Sequence, residues 1–274
     1  MLLDLVCYEC LMEEYKKGIS KEHKEISIMT PFEEVNNDGI YEVNCEKGHK
    51  SKTIIDNIDF EILFEYGLNA IVDGYYRESV SSITASLERY YEFFIKTILK
   101  NSGISFDIID KVWKNVSNQS ERQLGAYIFL YCQTFGCEPK LLNPQKDTTF
   151  RNSVIHKGYI PKKEEAIEFA DKTISIIETS LIELKNKYPE SVAETFKNYG
   201  YCNIAEVKFK EIEKKTGLEQ NYACVNIMTT INVMNGREIN PDDGRNGNVE
   251  VRMKKIIEDR VPRKLTLLNL KDKD

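Results

Sequence analysis

The sequence contains no run of about 18 uncharged apolar residues, the length that a membrane-spanning helix requires. Its N-terminus, MLLDLVCYECLMEEYKK, has no basic residue before the apolar ones and continues directly into acids, which is not the pattern of a secretory signal. We therefore expect a cytoplasmic protein with no membrane partner. In that compartment the seven cysteines indicate metal ligands or free thiols rather than a disulfide framework.

The sequence has fewer basic than acidic residues, with 38 lysines and arginines against 44 aspartates and glutamates. The formal net charge of −6 disfavours a protein that coats nucleic acid without specificity, because that mode of binding depends on a basic surface. A local basic segment is present between residues 140 and 163, where six lysines or arginines accompany one acid, Asp147. A solvated lysine-rich loop would have the same composition, so the segment alone identifies no binding site.

Apolar residues in the middle of the chain recur at the three- and four-residue spacing of amphipathic helices. We predict a mainly-α protein with a compact bundle of about five helices at residues 54–188. A small β domain at residues 1–53 precedes it, and an α+β extension of unknown role at residues 189–274 follows. The longest predicted helix has one broad apolar face, formed by Val80, Ile83, Leu87, Tyr90, Tyr91, Phe94, Ile95 and Ile98.

The first 53 residues combine short alternating segments with paired metal-binding residue types. KEISIMTPF and GIYEVNC alternate as strands do, and the NNDG between them favours a hairpin turn. Cys7 and Cys10 form a C-x-x-C motif, and CEKGH supplies Cys45 and His49. Two such turns can present four ligands to a tetrahedral Zn²⁺ ion. We therefore predict a zinc ribbon whose structural metal supplies the folding energy that so small a segment lacks.

The identity of the fourth ligand is open at this point. His49 follows Cys45 by four positions, a longer spacing than that of C-x-x-C, and His23 in SKEHKE is the substitute candidate. Four unliganded side chains in a small β segment are the alternative to a zinc site. Cys132 and Cys137, in YCQTFGC, have no metal-binding spacing with a nearby histidine, so we expect them to be core thiols.

The segment TTFRNSVIHKGYIP, residues 148–161, brings together Arg151, Asn152 and His156. On a helix, residues 151 and 156 lie about 140° apart, whereas Asn152 and His156 share a face, so that the amide can hydrogen-bond the imidazole. Histidine transfers protons near neutral pH, and arginine holds phosphate. Together they suffice for RNA cleavage without a metal, with the 2′-hydroxyl as nucleophile. Two unrelated surface groups, or a satisfied core pair, are the other interpretation.

RNSVIH also resembles the R-x4–6-H signature of HEPN-domain proteins, which has a polar residue directly after the arginine. Members of this family are helical bundles, and many are metal-independent endoribonucleases of toxin, phage-defence and CRISPR-associated systems. The resemblance covers about residues 57–188 and includes the order of the helices. It implies that Arg151 and His156 are catalytic and that Asn152 supports them. It also implies an RNA substrate and a homodimer whose two motifs line one cleft.

The same resemblance implies a toxin or antiviral defence nuclease, with an antitoxin or a phage-derived trigger as a further candidate partner. A HEPN-like module that binds nucleic acid or dimerises without catalysis is the alternative. Three residues are assigned supporting roles. Glu88 either pairs with Arg151 or is a surface glutamate, Tyr159 either stacks a base or packs, and Lys157 follows the histidine in the basic segment.

Overall fold

The structure is a computed structural model, and it describes residues 1–3, 5–16, 33–227, 229–234 and 249–258. The described chain is mainly helical with a small three-stranded sheet, which confirms the predicted mainly-α class. It divides into two compact units, one within Met1–Ile58 and Phe196–Met228, the other within Asp59–Thr195 and Thr229–Asp274. Among the described residues, no helix combines the length and apolar character needed to cross a membrane.

The helices and strands have the following bounds. The strands are β1 (Leu2–Leu3), β2 (Glu33–Glu34), β3 (Ile40–Asn44), β4 (Lys50–Ile55) and β5 (Tyr222–Val225). The helices are α1 (Tyr8–Lys16), α2 (Asp59–Val72), α3 (Tyr76–Asn101), α4 (Phe106–Trp113), α5 (Ser120–Phe135), α6 (Thr149–Lys157), α7 (Lys163–Lys187), α8 (Pro189–Tyr199) and α9 (Tyr201–Thr216). A π-helical turn spans Pro144–Thr148, and residues 249–258 are also helical.

The sheet of the first unit has the order β3-β4-β5, and it contains a hairpin of β3 and β4 that was not predicted. β3 and β4 are antiparallel, with Asn44 opposite Lys50 across the turn that contains CEKGH. β2 pairs with β1 in a separate two-stranded sheet. KEISIMTPF, the first strand of the hairpin predicted across NNDG, lies outside the described residues. In NNDG the Asn36 side chain accepts hydrogen bonds from the amides of Asp38 and Gly39, which closes a turn.

Part of the predicted C-terminal extension, within Phe196–Met228, completes this first unit. β5 pairs in parallel with β4, and α9 packs on β4 through Ala205 and Phe209, which form a buried cluster with Ile54. The predicted domain boundaries, at residues 53 and 188, therefore differ from the boundaries between the two units, which follow Ile58, Thr195 and Met228. The reason is that β4 has a run of fully buried residues, Thr53–Ile55, whose burial requires a helix and a strand from much later in the chain. The strand suggested for RKLTLLNL lies outside the described residues.

In the second unit α3 is the central helix and contacts α2, α4, α5, α6 and α7. All eight residues of its predicted apolar face are buried. Tyr90 lies at the middle of this core, where its ring meets Phe60 edge-on and its hydroxyl is 2.6 Å from the Ser180 hydroxyl. At Gly67 of α2, an added Cβ would lie 2.5 Å from Ile83, so glycine permits the close approach of α2 to α3.

Cys132 and Cys137 are exposed, so their assignment as core thiols is wrong. α5 buries Gln123, Tyr127 and Tyr131, which are spaced four positions apart and define its inner face. Cys132 lies one position beyond that row, and Cys137 follows the end of the helix. The apolar character of YCQTFGC thus belongs to its tyrosine and phenylalanine rings rather than to the thiols.

Candidate functional site

The RNSVIH segment forms a helix, α6, that begins directly after the π-helical turn. Asn143 starts that turn by accepting hydrogen bonds from two backbone amides with its side-chain oxygen. Val154 is fully buried and anchors α6. The helix ends at Gly158, which has a φ of +74° and donates its amide proton to the Ser153 carbonyl. The motif therefore lies on one short helix with a defined start and end, as predicted.

Arg151 is held by one residue of the neighbouring helix α3 and one residue of its own helix. Its Nη2 donates to Glu88 Oε1 over 2.6 Å, and its Nη1 donates to Asn152 Oδ1 over 2.9 Å. The side chains of Arg151 and Glu88 are only 17% and 27% exposed. The interpretation of Glu88 as the partner of Arg151 is thus confirmed over that of an unpaired surface glutamate.

His156 is exposed on the last turn of α6. Within the described part of the chain its imidazole makes no hydrogen bond or ion pair, including none to Asn152 or Arg151. The predicted hydrogen bond between Asn152 and His156 is therefore wrong. The amide oxygen of Asn152 instead accepts from the guanidinium of Arg151, a permanently charged donor and thus a stronger partner than a neutral imidazole. The structure brings Glu88, Arg151 and Asn152 together and leaves the imidazole facing solvent.

The two residues after the motif are also at the surface. Lys157 is exposed. Tyr159 is 41% exposed, its hydroxyl lies 3.0 Å from both carboxylate oxygens of Glu165, and its ring packs edge-on against Phe150. The hydrogen bond to Glu165 raises the pKa of Tyr159. Of the two roles considered for Tyr159, the structure therefore supports packing, while part of the ring stays accessible.

Two residues of the basic segment, Lys146 and Asp147, form ion pairs with α7. Lys146 Nζ lies 2.7 Å from Glu168 Oε1, and Asp147 accepts from Lys172 over 2.6 Å. Hydrogen bonds from Lys146 and Lys172 lower the pKa of Glu168 to about 2, so this carboxylate remains charged at neutral pH.

The four residues predicted as zinc ligands come together in the first unit. Cys10 Sγ lies 3.7 Å from Cys45 Sγ and 3.3 Å from His49 Nδ1, and Cys7 Sγ lies 4.0 Å from the same nitrogen. Ligands of one tetrahedral zinc ion, with Zn–S near 2.3 Å and Zn–N near 2.0 Å, would be about 3.8 Å apart for two sulfurs and about 3.6 Å for sulfur and nitrogen. The three thiols are buried, and the cluster could hold a metal ion. His23 lies outside the described residues.

The surroundings of the thiols shift the pKa values of Cys45 and Cys10 in opposite directions. Burial by itself raises the pKa of Cys45, but the backbone amides of His49 and Lys47, which point at its sulfur, lower the pKa overall and stabilise a thiolate. Burial raises the pKa of Cys10 to about 12, so this thiol stays protonated at neutral pH unless a cation displaces the proton. Gly48, with a φ of +81°, allows the tight turn that brings His49 back towards Cys45.

Sequence reasoning missed two features of the first unit. Glu13 Oε1 lies 3.5 Å from His49 Nε2, the position of a carboxylate that orients a metal-binding imidazole. Glu13 follows Cys10 within α1 as one of two adjacent glutamates, which is not a recognisable signal for this role. Cys202 and Cys224 also meet, with 2.6 Å between their sulfurs, and Asp56 lies nearby. Cys202 and Cys224 are 22 positions apart, so they do not form a local sequence motif that would predict their contact.

Comparisons with protein-family models, with curated proteins and with solved structures gave no match to this chain.

Proposed function

We propose that this protein is a metal-independent endoribonuclease in which Arg151 binds the scissile phosphate and His156 transfers the proton. The proposal rests chiefly on one observation: the same nine-residue helix carries a fixed guanidinium and, without contact between the two, an accessible imidazole. The resemblance of RNSVIH to the HEPN motif supplies the substrate class. The helical bundle around α3 is the kind of scaffold in which that motif occurs.

The chemistry assigned to each group follows from its surroundings. The 2′-hydroxyl of the RNA loses its proton and its oxygen bonds to the adjacent phosphorus. The bond from phosphorus to the 5′-oxygen then breaks, and the 5′-oxygen takes up a proton to become a hydroxyl. His156 is accessible for either transfer. A guanidinium has five N–H donors, and Glu88 and Asn152 engage two of those of Arg151. The remaining donors are the groups that would bind phosphate oxygens and stabilise the charge of the phosphorane.

A homodimer is part of the proposal because one copy of α6 does not bring the two groups together. Arg151 and His156 point about 140° apart on a helix. If two motifs line one cleft, the arginine of one protomer and the histidine of the other can reach the same phosphate. Mixing the Arg151→Ala and His156→Ala proteins would then restore part of the activity. A strictly monomeric active enzyme would contradict the shared cleft.

The Cys7, Cys10, Cys45 and His49 cluster is proposed to hold a structural zinc ion. Its four ligands fill a tetrahedral site, so no position remains for water or substrate. Zinc would stabilise the first unit, while proton transfer and phosphate binding depend on α6. Brief exposure to EDTA should therefore leave RNA cleavage unchanged, and inhibition by EDTA that Mg²⁺ reverses would contradict the metal-free mechanism.

A non-catalytic nucleic-acid-binding or dimerisation module is the second candidate, and one observation favours it. The Glu88 carboxylate already neutralises Arg151 over 2.6 Å, as expected of an ion pair that only joins α3 to α6. In that case His156 is an ordinary surface histidine. The two candidates differ in whether RNA is cleaved at all.

The decisive experiment is incubation of end-labelled single-stranded RNA with the purified full-length protein. We expect fragments with a 2′,3′-cyclic phosphate and a 5′-hydroxyl from the wild type, and at least a hundredfold less cleavage by His156→Ala and Arg151→Ala. Lys111→Ala removes an exposed cation from α4 and should retain full activity. Circular dichroism and zinc content should be equal in all four proteins. RNA that stays intact with the wild type, or that is cleaved equally by His156→Ala, would rule out the proposed catalytic role.

A further inference from the structure

A second pair of cysteines lies in the first unit, away from the Cys7 cluster in the sequence. Cys202 is the second residue of α9, after Gly200 at the N-cap, and Cys224 is on the edge strand β5. Cys224 is in register with Ile54, and Ile54 packs against α9. Cys224 therefore lies on the sheet face that α9 covers, and the two sulfurs are 2.6 Å apart.

We infer that Cys202 and Cys224 form a reversible dithiol–disulfide site, oxidised by peroxide, that joins the first turn of α9 to β5. Both sulfurs come from elements whose backbones are already held in place. α9 is anchored by Ala205 and Phe209 in the buried cluster, and β5 is hydrogen-bonded to β4. Closing the bond therefore requires little movement of either element.

A metal site at the same residues fits less well. Two thiolates on one tetrahedral zinc ion would be about 3.8 Å apart, which is the separation that Cys10 and Cys45 approach with 3.7 Å. Cys202 and Cys224 are more than 1 Å closer than that. Asp56 is the one further candidate ligand in this group, so among the described residues the set has three members instead of four. The two cysteine clusters thus suit different chemistry.

The surroundings of Cys202 favour its role as the attacking thiolate. The Cys224 thiol lies within hydrogen-bonding distance of its sulfur, and this contact lowers the pKa of Cys202. A position in the first turn of a helix also stabilises a thiolate. Cys202 is half-buried and Cys224 is exposed, so a small oxidant can reach the pair.

The reaction with hydrogen peroxide balances in two steps. The Cys202 thiolate attacks one peroxide oxygen, the O–O bond breaks, and a sulfenic acid forms as the first water leaves. The Cys224 sulfur then attacks the sulfenic sulfur, the S–O bond breaks, and the second water leaves. Two thiols and one peroxide thus become one disulfide and two waters, and a dithiol reductant reverses the change by thiol–disulfide exchange.

The test uses the full-length protein with its zinc bound, reduced by a phosphine that is then removed. One equivalent of hydrogen peroxide is added, free thiols are alkylated in denaturant, and tryptic peptides are analysed by mass spectrometry without reduction. Cys202 and Cys224 fall in separate tryptic peptides, residues 198–208 and 216–237, each with a single cysteine. We expect these two peptides as a disulfide-linked species that disappears on reduction.

Two variants make the result specific. A protein with Cys132→Ser and Cys137→Ser lacks the other exposed thiols and should form the same linked peptides to the same extent. Cys224→Ser should lose the link and accumulate the sulfenic acid at Cys202, detectable by a dimedone probe. Alkylation of both cysteines after peroxide treatment would overturn the inference. A second zinc per chain that Cys224→Ser removes would also overturn it, and neither outcome bears on RNA cleavage.

Discussion

The ion pair between Glu88 and Arg151 offers the sharpest quantitative test of the candidate site. We predict that a double-mutant cycle with Glu88→Gln and Arg151→Gln gives a coupling free energy of about 1–3 kcal/mol. The cycle isolates the pair because each single change removes the same interaction, while the double variant leaves neither charge without a partner.

The expected magnitude follows from distance and burial. Two unit charges whose centres lie about 4 Å apart attract by about 4 kcal/mol at an effective dielectric constant near 20. Desolvation offsets part of this, since the two side chains are only 17% and 27% exposed. Fully exposed pairs contribute about 0.2–1 kcal/mol, so a half-buried pair at 2.6 Å should exceed that range without reaching the full Coulomb value.

The assay is urea unfolding followed by the fluorescence of Trp113, the only tryptophan in the sequence. Trp113 is buried at the end of α4, which packs on α3, so its signal reports on the unit that contains Glu88 and Arg151. A parallel cycle on Lys146 and Glu168, whose side chains are 69% and 51% exposed, is the matched control and should give less than about 1 kcal/mol. Equal coupling in the two cycles would refute the reasoning.

Three further predictions concern other parts of the chain. Cys45→Ser should abolish stoichiometric zinc binding, measured by metal analysis, because it removes a buried thiolate; undiminished zinc content would contradict the proposed ligand set. The Cys202–Cys224 disulfide closes a loop of 22 positions and should stabilise its unit by about 3 kcal/mol, measured as the shift of the denaturation curve between oxidised and reduced protein. A shift that persists in Cys224→Ser would have another origin. Gly158→Ala should cost about 1–2 kcal/mol because φ is +74° and no atom lies within 4 Å of the added Cβ, so only backbone strain contributes. Gly125→Ala, equally open but inside α5, should stabilise instead by about 0.5–1 kcal/mol, and equal effects would exclude that explanation.

Local patterns predicted the helices of the second unit well. Every apolar residue assigned to the inner face of α3 is buried, and RNSVIH is a helix that ends at Gly158. These features depend on residues within a few positions of one another, so spacing and glycine conformation suffice. The ligand set Cys7, Cys10, Cys45 and His49 could be predicted for a related reason, since each half of the cluster spans only a few positions: C-x-x-C at the start of α1, and CEKGH between β3 and β4.

Interactions between distant residues could not be predicted in the same way. Asn152 hydrogen-bonds Arg151 and not His156 because Glu88 holds the guanidinium beside it. Glu88 is 63 positions from Arg151 in the sequence. Alternation identified GIYEVNC as a strand, β3, but did not identify β4 as its partner. Cys132 is exposed because other side chains of α5 face the core. The apolar character of a short segment does not specify which of its side chains face inward.

By itself, then, the sequence determined the mainly helical class, the course of α3 and α6, and the residues that can bind a cation at the N-terminus. Helix periodicity and tight turns are short-range properties, because they depend on residues that are close together in the sequence. Only the tertiary structure decided that residues within 196–228 complete the first unit, that Glu88 holds Arg151, and that Cys202 meets Cys224. Each of these depends on burying β4 and α3 against partners far along the chain, and the free energy of that burial has no local signature.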